Sequence, residues 1–206
     1  MHFEPNEIYH VYNRGNNKQP IFFQKRNYLF FLKKIRTEWG KYCDILSYCL
    51  MPNHFHFMLV PNEDACKSII MAEKNIPMQN LSKQIGITLS SYTKAINNQN
   101  ATSGNLFQKK TKAKCLKEDP ILKDNLNTID YVTTCFLYIH QNPLKAGLVN
   151  NLKDWPYSSW SDYAGLRNGS LCNQEKIFQL TGLSKYDCIT QNVLLNENII
   201  ERARVG

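Results

Sequence analysis

Two histidines one residue apart carry the first chemical signal in this chain: His54-Phe55-His56, inside Leu50-Met51-Pro52-Asn53-His54-Phe55-His56-Phe57-Met58-Leu59-Val60. On an extended strand alternate side chains leave the same face, so both imidazoles emerge together, roughly 6–7 Å apart. One cation fits between them if other groups complete its shell. Phe55, Phe57 and Leu59 take the opposite face and suit a core. A second pair, Tyr138 and Asn142, lies in Tyr138-Ile139-His140-Gln141-Asn142-Pro143. Four residues apart on a helix, a phenol and an amide share one face. Two imidazoles, an amide and a phenol are the side chains a site would need to break a phosphodiester bond.

Such a mixed nitrogen and oxygen set suits Mg²⁺ or Mn²⁺, with phosphate and water oxygens completing an octahedral shell. Zinc would call for a third His, Cys or carboxylate, and none is evident. A metal there would polarise the scissile phosphate. Tyr138 is then the candidate nucleophile, through a covalent phosphotyrosine. A phenol needs the metal or a base to draw off its proton, and His140 is the base nearest in sequence. Plainer readings stand beside these. Two histidines on a strand also mark a wet sheet face, and Tyr138 in Phe136-Leu137-Tyr138-Ile139 also reads as a core aromatic. The apolar Met58 and Val60 continue the histidine face, however. That face is therefore expected to be covered, and covered histidines need partners.

The elements that must position these groups follow from the patterning. Ile8–Asn13 alternates as a first strand and ends at Arg14-Gly15-Asn16-Asn17. A helical stripe over Arg26–Trp39 stops at Gly40. Cys43–Met51 and His54–Val60 form a hairpin around Pro52-Asn53. Pro61–Pro77 reads as a loop with a helical turn near Ser68–Lys74. A second helix runs from Met78 to Ile96. Phe107–Leu116 is a further strand, with Lys110, Lys112 and Lys114 on one face. Asp130–Asn142 is a third helix, expected to end before Pro143. Strand, helix, strand, strand, helix, strand, helix is the split βαβ order of a ferredoxin-like, RRM-like α+β fold with an antiparallel sheet. On this reading residues 1–165 form the functional domain, and 166–206 an extension with one or two short helices.

Composition narrows the function classes. The 206 residues are 43% hydrophobic and 12% aromatic, enough to fill one domain core. No apolar run is long enough to cross a membrane, and the N-terminus has no secretory pattern. Seven cysteines without a C-x-x-C pair suggest reduced thiols in a cytosol rather than a zinc finger. With 25 Lys and Arg against 17 Asp and Glu, the net charge of +8 favours a polyanionic partner. Arg14, Lys18, Lys109, Lys110, Lys112 and Lys114 are the candidate phosphate contacts, and Tyr12 could stack on an unpaired base. A lysine-rich strand can equally be a solvated edge that discourages sheet-to-sheet pairing.

These pieces together resemble the single-tyrosine HUH transposases of small insertion sequences, and most closely the REP-associated tyrosine transposases. The matching stretches are Tyr9–Phe22, Leu50–His56, Gly104–Gln108 ahead of a basic strand, Tyr138–Val149 and Trp155–Ser159. They span residues 7–165 in the family's order. The resemblance implies that His54 and His56 bind the metal, that Asn142 takes the third metal position, and that Tyr138 is the nucleophile. It implies ATP-independent cleavage and rejoining of single-stranded DNA near hairpins, through a 5′-phosphotyrosine and a free 3′ hydroxyl, by a monomer or homodimer. A protein of the same fold that binds hairpins without cutting, and a metal nuclease that uses water, are the competing expectations.

Overall fold

The computed structural model describes residues 1–71, 76–117, 128–190 and 195. In chain order it contains β1 (Tyr9–Arg14), α1 (Lys25–Glu38), β2 (Cys43–Met51), β3 (His54–Pro61), a turn of helix α2 (Glu63–Cys66), β4 (Ser68–Met71), β5 (Ile76–Gln79), α3 (Asn80–Asn100), β6 (Lys112–Cys115) and α4 (Thr128–Lys145). Three short helices follow, α5 (Trp160–Tyr163), α6 (Gln174–Thr181) and α7 (Lys185–Thr190). The main sheet runs β2-β3-β1-β6 with every neighbouring pair antiparallel. This is the ferredoxin-like α+β arrangement expected from the element order.

The sheet is covered on both faces, because alternation sends apolar side chains both ways. On one face Val11, Phe55, Phe57 and Leu59 join Phe31 and Ile35 of α1 and Leu81, Ile85 and Tyr92 of α3. On the other, Leu46, Cys49, Met51, Met58 and Val60 meet Val132, Cys135, Phe136 and Ile139 of α4. Each such side chain stabilises by about 1.5–3 kcal/mol when fully buried. Ile177 of α6 and Cys188 of α7, from the stretch set apart as an extension, bury in this second core. All seven cysteines are free thiols. Among the described residues no helix is long and apolar enough to cross a membrane.

Four local expectations change. Ser68–Met71, expected within a helical turn, pairs instead with Ile76–Gln79 as an antiparallel ribbon; residues 72–75 lie outside the described set. The strand expected over Phe107–Leu116 is ladder-paired only at Lys112–Cys115. Between the isolated Gly15–Phe107 bridge and β6 the chain leaves the ladder. The Asn13 amide fills the gap, donating to the Gln108 carbonyl at 3.1 Å and the Thr111 hydroxyl at 2.9 Å. Helix α3 runs past Ile96 to Asn100.

The fourth change concerns Pro143, which lies inside α4 rather than after it. A proline has no N–H for the carbonyl four residues back, here that of Ile139. The Asn142 side chain supplies the replacement: its Nδ2 donates to the carbonyls of Ile139 at 3.3 Å and Tyr138 at 2.8 Å. The helix continues one more turn and closes where Gly147, at φ +64°, lets Leu148 N donate to Pro143 O and Gly147 N to Leu144 O.

Helix α4 is tied to the sheet through a buried polar clasp. The segment Trp155–Ser159 lies against the outer edge of β2, with Leu50 N donating to Tyr157 O at 2.9 Å and Ser159 N to Tyr48 O at 3.0 Å. His140 of α4 donates from Nδ1 to the Phe136 carbonyl at 2.8 Å, so its Nε2 accepts from the Ser159 hydroxyl at 2.8 Å. Burial, partly opposed by the Phe136 bond, pushes the His140 imidazole down to about 3. A group with a depressed folded-state value supports stability above its unfolded value and loses that support as pH falls toward the folded one. Between pH 6.5 and pH 5, His140 alone should account for a loss of about 2 kcal/mol. His140→Gln should therefore show a pH dependence shallower by about that amount, read from urea unfolding at both pH values.

Candidate active site

The hairpin turn Pro52-Asn53 starts β3 at His54, so the two histidines sit at the end of the strand where it leaves the covered region. Their ring centroids are 5.0 Å apart, nearly perpendicular at 89°. That is closer than the roughly 6–7 Å between alternate positions of a strand. Tyr138 meets them from α4, its ring 5.6 Å from that of His56. Asn142 follows one turn later. His54, His56, Tyr138 and Asn142 thus line one pocket of about 550 Å³, together with Met51 and Tyr12.

The nitrogen roles in this pocket can be derived from its hydrogen bonds. Asn53 Nδ2 donates to the Lys18 carbonyl at 3.2 Å, which turns its Oδ1 toward His54 Nδ1, 2.6 Å away. An amide oxygen only accepts, so His54 carries its proton on Nδ1 and its lone pair on Nε2. His56 Nδ1 meets His10 Nε2 at 2.8 Å, with both rings buried. Burial, then the Lys114 ammonium, pushes His10 down to about 3. Burial, then its neighbours His10 and His54, holds His56 well below the usual imidazole range. The His10–His56 pair is therefore neutral. Asn142 spends its nitrogen on two carbonyls, which leaves the amide oxygen as its end for a ligand.

Two imidazoles and an amide oxygen are donors that fit a divalent cation with oxygen preference. Among the described residues no group of three or more His, Cys, Asp or Glu is placed to hold a metal ion. The pocket wall also carries four cationic side chains. Arg14, Lys110, Lys112 and Lys145 line it, and no carboxylate does among the described lining residues. Arg14 has a buried Nε with no hydrogen-bond partner, a donor suited to an anionic oxygen.

Lys18, Lys109, Lys114 and His140 lie elsewhere. Lys18 and Lys109 are exposed and off the pocket lining. The Lys114 ammonium sits 5.7 Å over the Tyr131 ring, beside His10, rather than in the pocket. His140, offered as a base for Tyr138, faces the opposite way: it is 1% exposed and committed to Phe136 and Ser159. Tyr12 does line the pocket, half-buried beside His10 and His56.

Two residues were not singled out by sequence. His10 lies two positions before Tyr12 on β1, so it shares the face of His56, and that parity was the available signal. Lys145 is seven residues after Tyr138 on α4, two turns along the same face, and its ammonium lies 5.8 Å over the Tyr138 ring. Because Asn142 satisfies two helix carbonyls, Asn142→Ala should cost about 1–3 kcal/mol in chemical unfolding even without any ligand.

Comparison with known proteins agrees with this picture. No protein-family model matches the chain. It is 24% identical over 163 residues to a Haemophilus influenzae protein named as a REP-associated tyrosine transposase, covering 72% of this chain and 84% of that one. It also superposes on a solved REP-associated tyrosine transposase bound to a REP hairpin, with a TM-score of 0.58 at 17% identity, over 80% of this chain and 83% of the other. The resemblance drawn from the motifs therefore holds in sequence and in fold.

Proposed function

We propose that this protein is a metal-dependent DNA transposase that cleaves and rejoins single-stranded DNA at hairpin-containing sites. The observation that carries the reading is the meeting of Tyr138 with His56, ring to ring at 5.6 Å, in a pocket shared with His54 and Asn142. The likeness to a REP-associated tyrosine transposase bound to a REP hairpin supports hairpin DNA as the partner. The cations Arg14, Lys110, Lys112 and Lys145 in the lining support it as well, since they would attract a phosphate backbone.

His54 Nε2, His56 Nε2 and Asn142 Oδ1 would hold Mg²⁺ or Mn²⁺. When bound, that ion supplies Lewis-acid polarisation of the scissile phosphate. Tyr138 Oη gives up its proton to solvent and attacks phosphorus; the new O–P bond forms as the P–O3′ bond breaks, and the 3′ oxygen takes up a proton from solvent and leaves as a hydroxyl. Attack by a 3′ hydroxyl on the phosphotyrosine reverses these changes and releases the phenol. One phosphodiester is exchanged for another in each step, so no nucleotide is consumed. Arg14 Nε, Lys110, Lys112 and Lys145 would hold the strand's phosphates, and Tyr12 would offer a ring to an unpaired base.

The test is incubation of labelled hairpin-bearing single-stranded DNA with Mn²⁺, followed by denaturing electrophoresis. A covalent protein–DNA adduct should form and disappear in Tyr138→Phe, while hairpin binding persists. Binding without any cleavage would favour a non-cutting hairpin-binding protein, and cleavage that survives Tyr138→Phe would favour a water-using nuclease. The cationic wall gives a separate expectation. Lys110→Gln combined with Lys112→Gln should flatten the dependence of log affinity on log salt by about 1.4, at about 0.7 per lost phosphate contact on a single strand.

A further inference from the structure

We propose that His10 is a positioning residue for His56: its Nε2 accepts the Nδ1 proton of His56 and so fixes the metal-binding lone pair of His56 on Nε2. The role toward a metal and the choice of direction both rest on the functional reading above; the contact between the two rings does not.

The contact is short and dry. His10 Nε2 and His56 Nδ1 are 2.8 Å apart, with rings nearly parallel at 24° and both side chains buried. Tyr12 lies 4.8 Å from the His10 ring on one side, and Tyr138 lies 6.1 Å from it in an edge-on arrangement. The pair is thus held by packing as well as by its own bond. Two ring nitrogens this close share one proton, so one must donate and the other accept.

Two observations choose the direction. First, His54 is already set as the Nδ1–H tautomer by Asn53, whose amide is oriented by the Lys18 carbonyl. If His56 donates to His10, both imidazoles engage Nδ1 with a neighbour and keep the Nε2 lone pair, so the two act alike toward one cation. If His10 donated instead, His56 would present an Nε2–H beside a lone pair on His54, a mismatched pair. Second, the pocket does not lack donors, since Arg14, Lys110, Lys112 and Lys145 line it. The proposed direction places a further acceptor among those cations. A neighbour that takes the second ring proton also makes a ligating imidazole more basic and sets its orientation. His10 performs that service without bringing a negative charge into the pocket wall.

The experiment uses the full chain labelled with ¹⁵N-histidine, free of metal. Long-range ¹H–¹⁵N correlation should find His56 protonated on Nδ1 and unprotonated on Nε2. His10→Gln, whose amide oxygen can accept in the same place, should keep that tautomer. His10→Phe, which fills the space without an acceptor, should release it. Mn²⁺ affinity, read by the electron paramagnetic resonance signal of the free ion, should fall about 10- to 100-fold in His10→Phe and recover in His10→Gln. A wild-type His56 protonated on Nε2 would overturn the proposal, whether or not the variants fold. So would a folded His10→Phe that binds Mn²⁺ as well as the wild type. A wild type that binds no Mn²⁺ would overturn the metal-site reading together with the role of His10 toward it, whereas Mn²⁺ binding undiminished in His10→Phe would overturn the role of His10 alone.

Discussion

The docking of α4 on the sheet is the constraint on which the rest depends. The histidine face of β3 carries Met58 and Val60 beyond the imidazoles, and the helix that buries them brings Tyr138 to His56. Apolar packing supplies most of the attraction but is non-directional, so it does not by itself set how far the helix slides or turns. Directional bonds set that. The His140–Ser159 bond pins the helix to the Trp155–Ser159 segment along the β2 edge, and Tyr163 bonds the Leu46 carbonyl at the β2 irregularity. The motif residues around Trp155 and Ser159 thus act on the site at a distance, by fixing a helix.

Polar economy explains much of the local chemistry. Pro143 within α4 would leave the Ile139 carbonyl without its donor, and Asn142 covers that loss with the same side chain that faces the pocket. The amide is thereby oriented: its nitrogen is committed to the helix backbone, which leaves its oxygen for the pocket. Asn53 does the equivalent for His54, bonded on one side to the Lys18 carbonyl and on the other to the imidazole. In both cases a neutral amide with two distinct ends transmits the fixed direction of a backbone carbonyl to a side chain that could bind metal.

Much of this was legible before any coordinates. Period-two alternation located β2 and β3 to within a residue, and the 3–4 spacing located α1 and the body of α3. Misreadings fell where side chains overruled backbone rules. Pro143 signals a helix end only if no neighbour replaces its missing donor, and Asn142 does so. Ser68–Met71 is short, and its pairing partner Ile76–Gln79 decides it, which no local window reveals. Lys110, Lys112 and Lys114 look equivalent by parity, yet Lys114 stacks over Tyr131, because a long aliphatic stem can fold onto the nearest aromatic surface.

By itself the sequence determined the classes of residue available for chemistry, the element order, and the basic charge that points to a polyanion. These follow from nearest-neighbour sterics, periodicity and composition, which are local or additive. Only the tertiary structure decided that His140 is a buried clasp rather than a base, that Arg14 and Lys145 reach the pocket while Lys18 and Lys109 do not, and that His10 partners His56. The reason is the same in each case. Which side of a helix or strand meets which neighbour depends on contacts between residues far apart in the chain, such as His10 with His56 and His140 with Ser159, and those distances exist only once the sheet and α4 have packed.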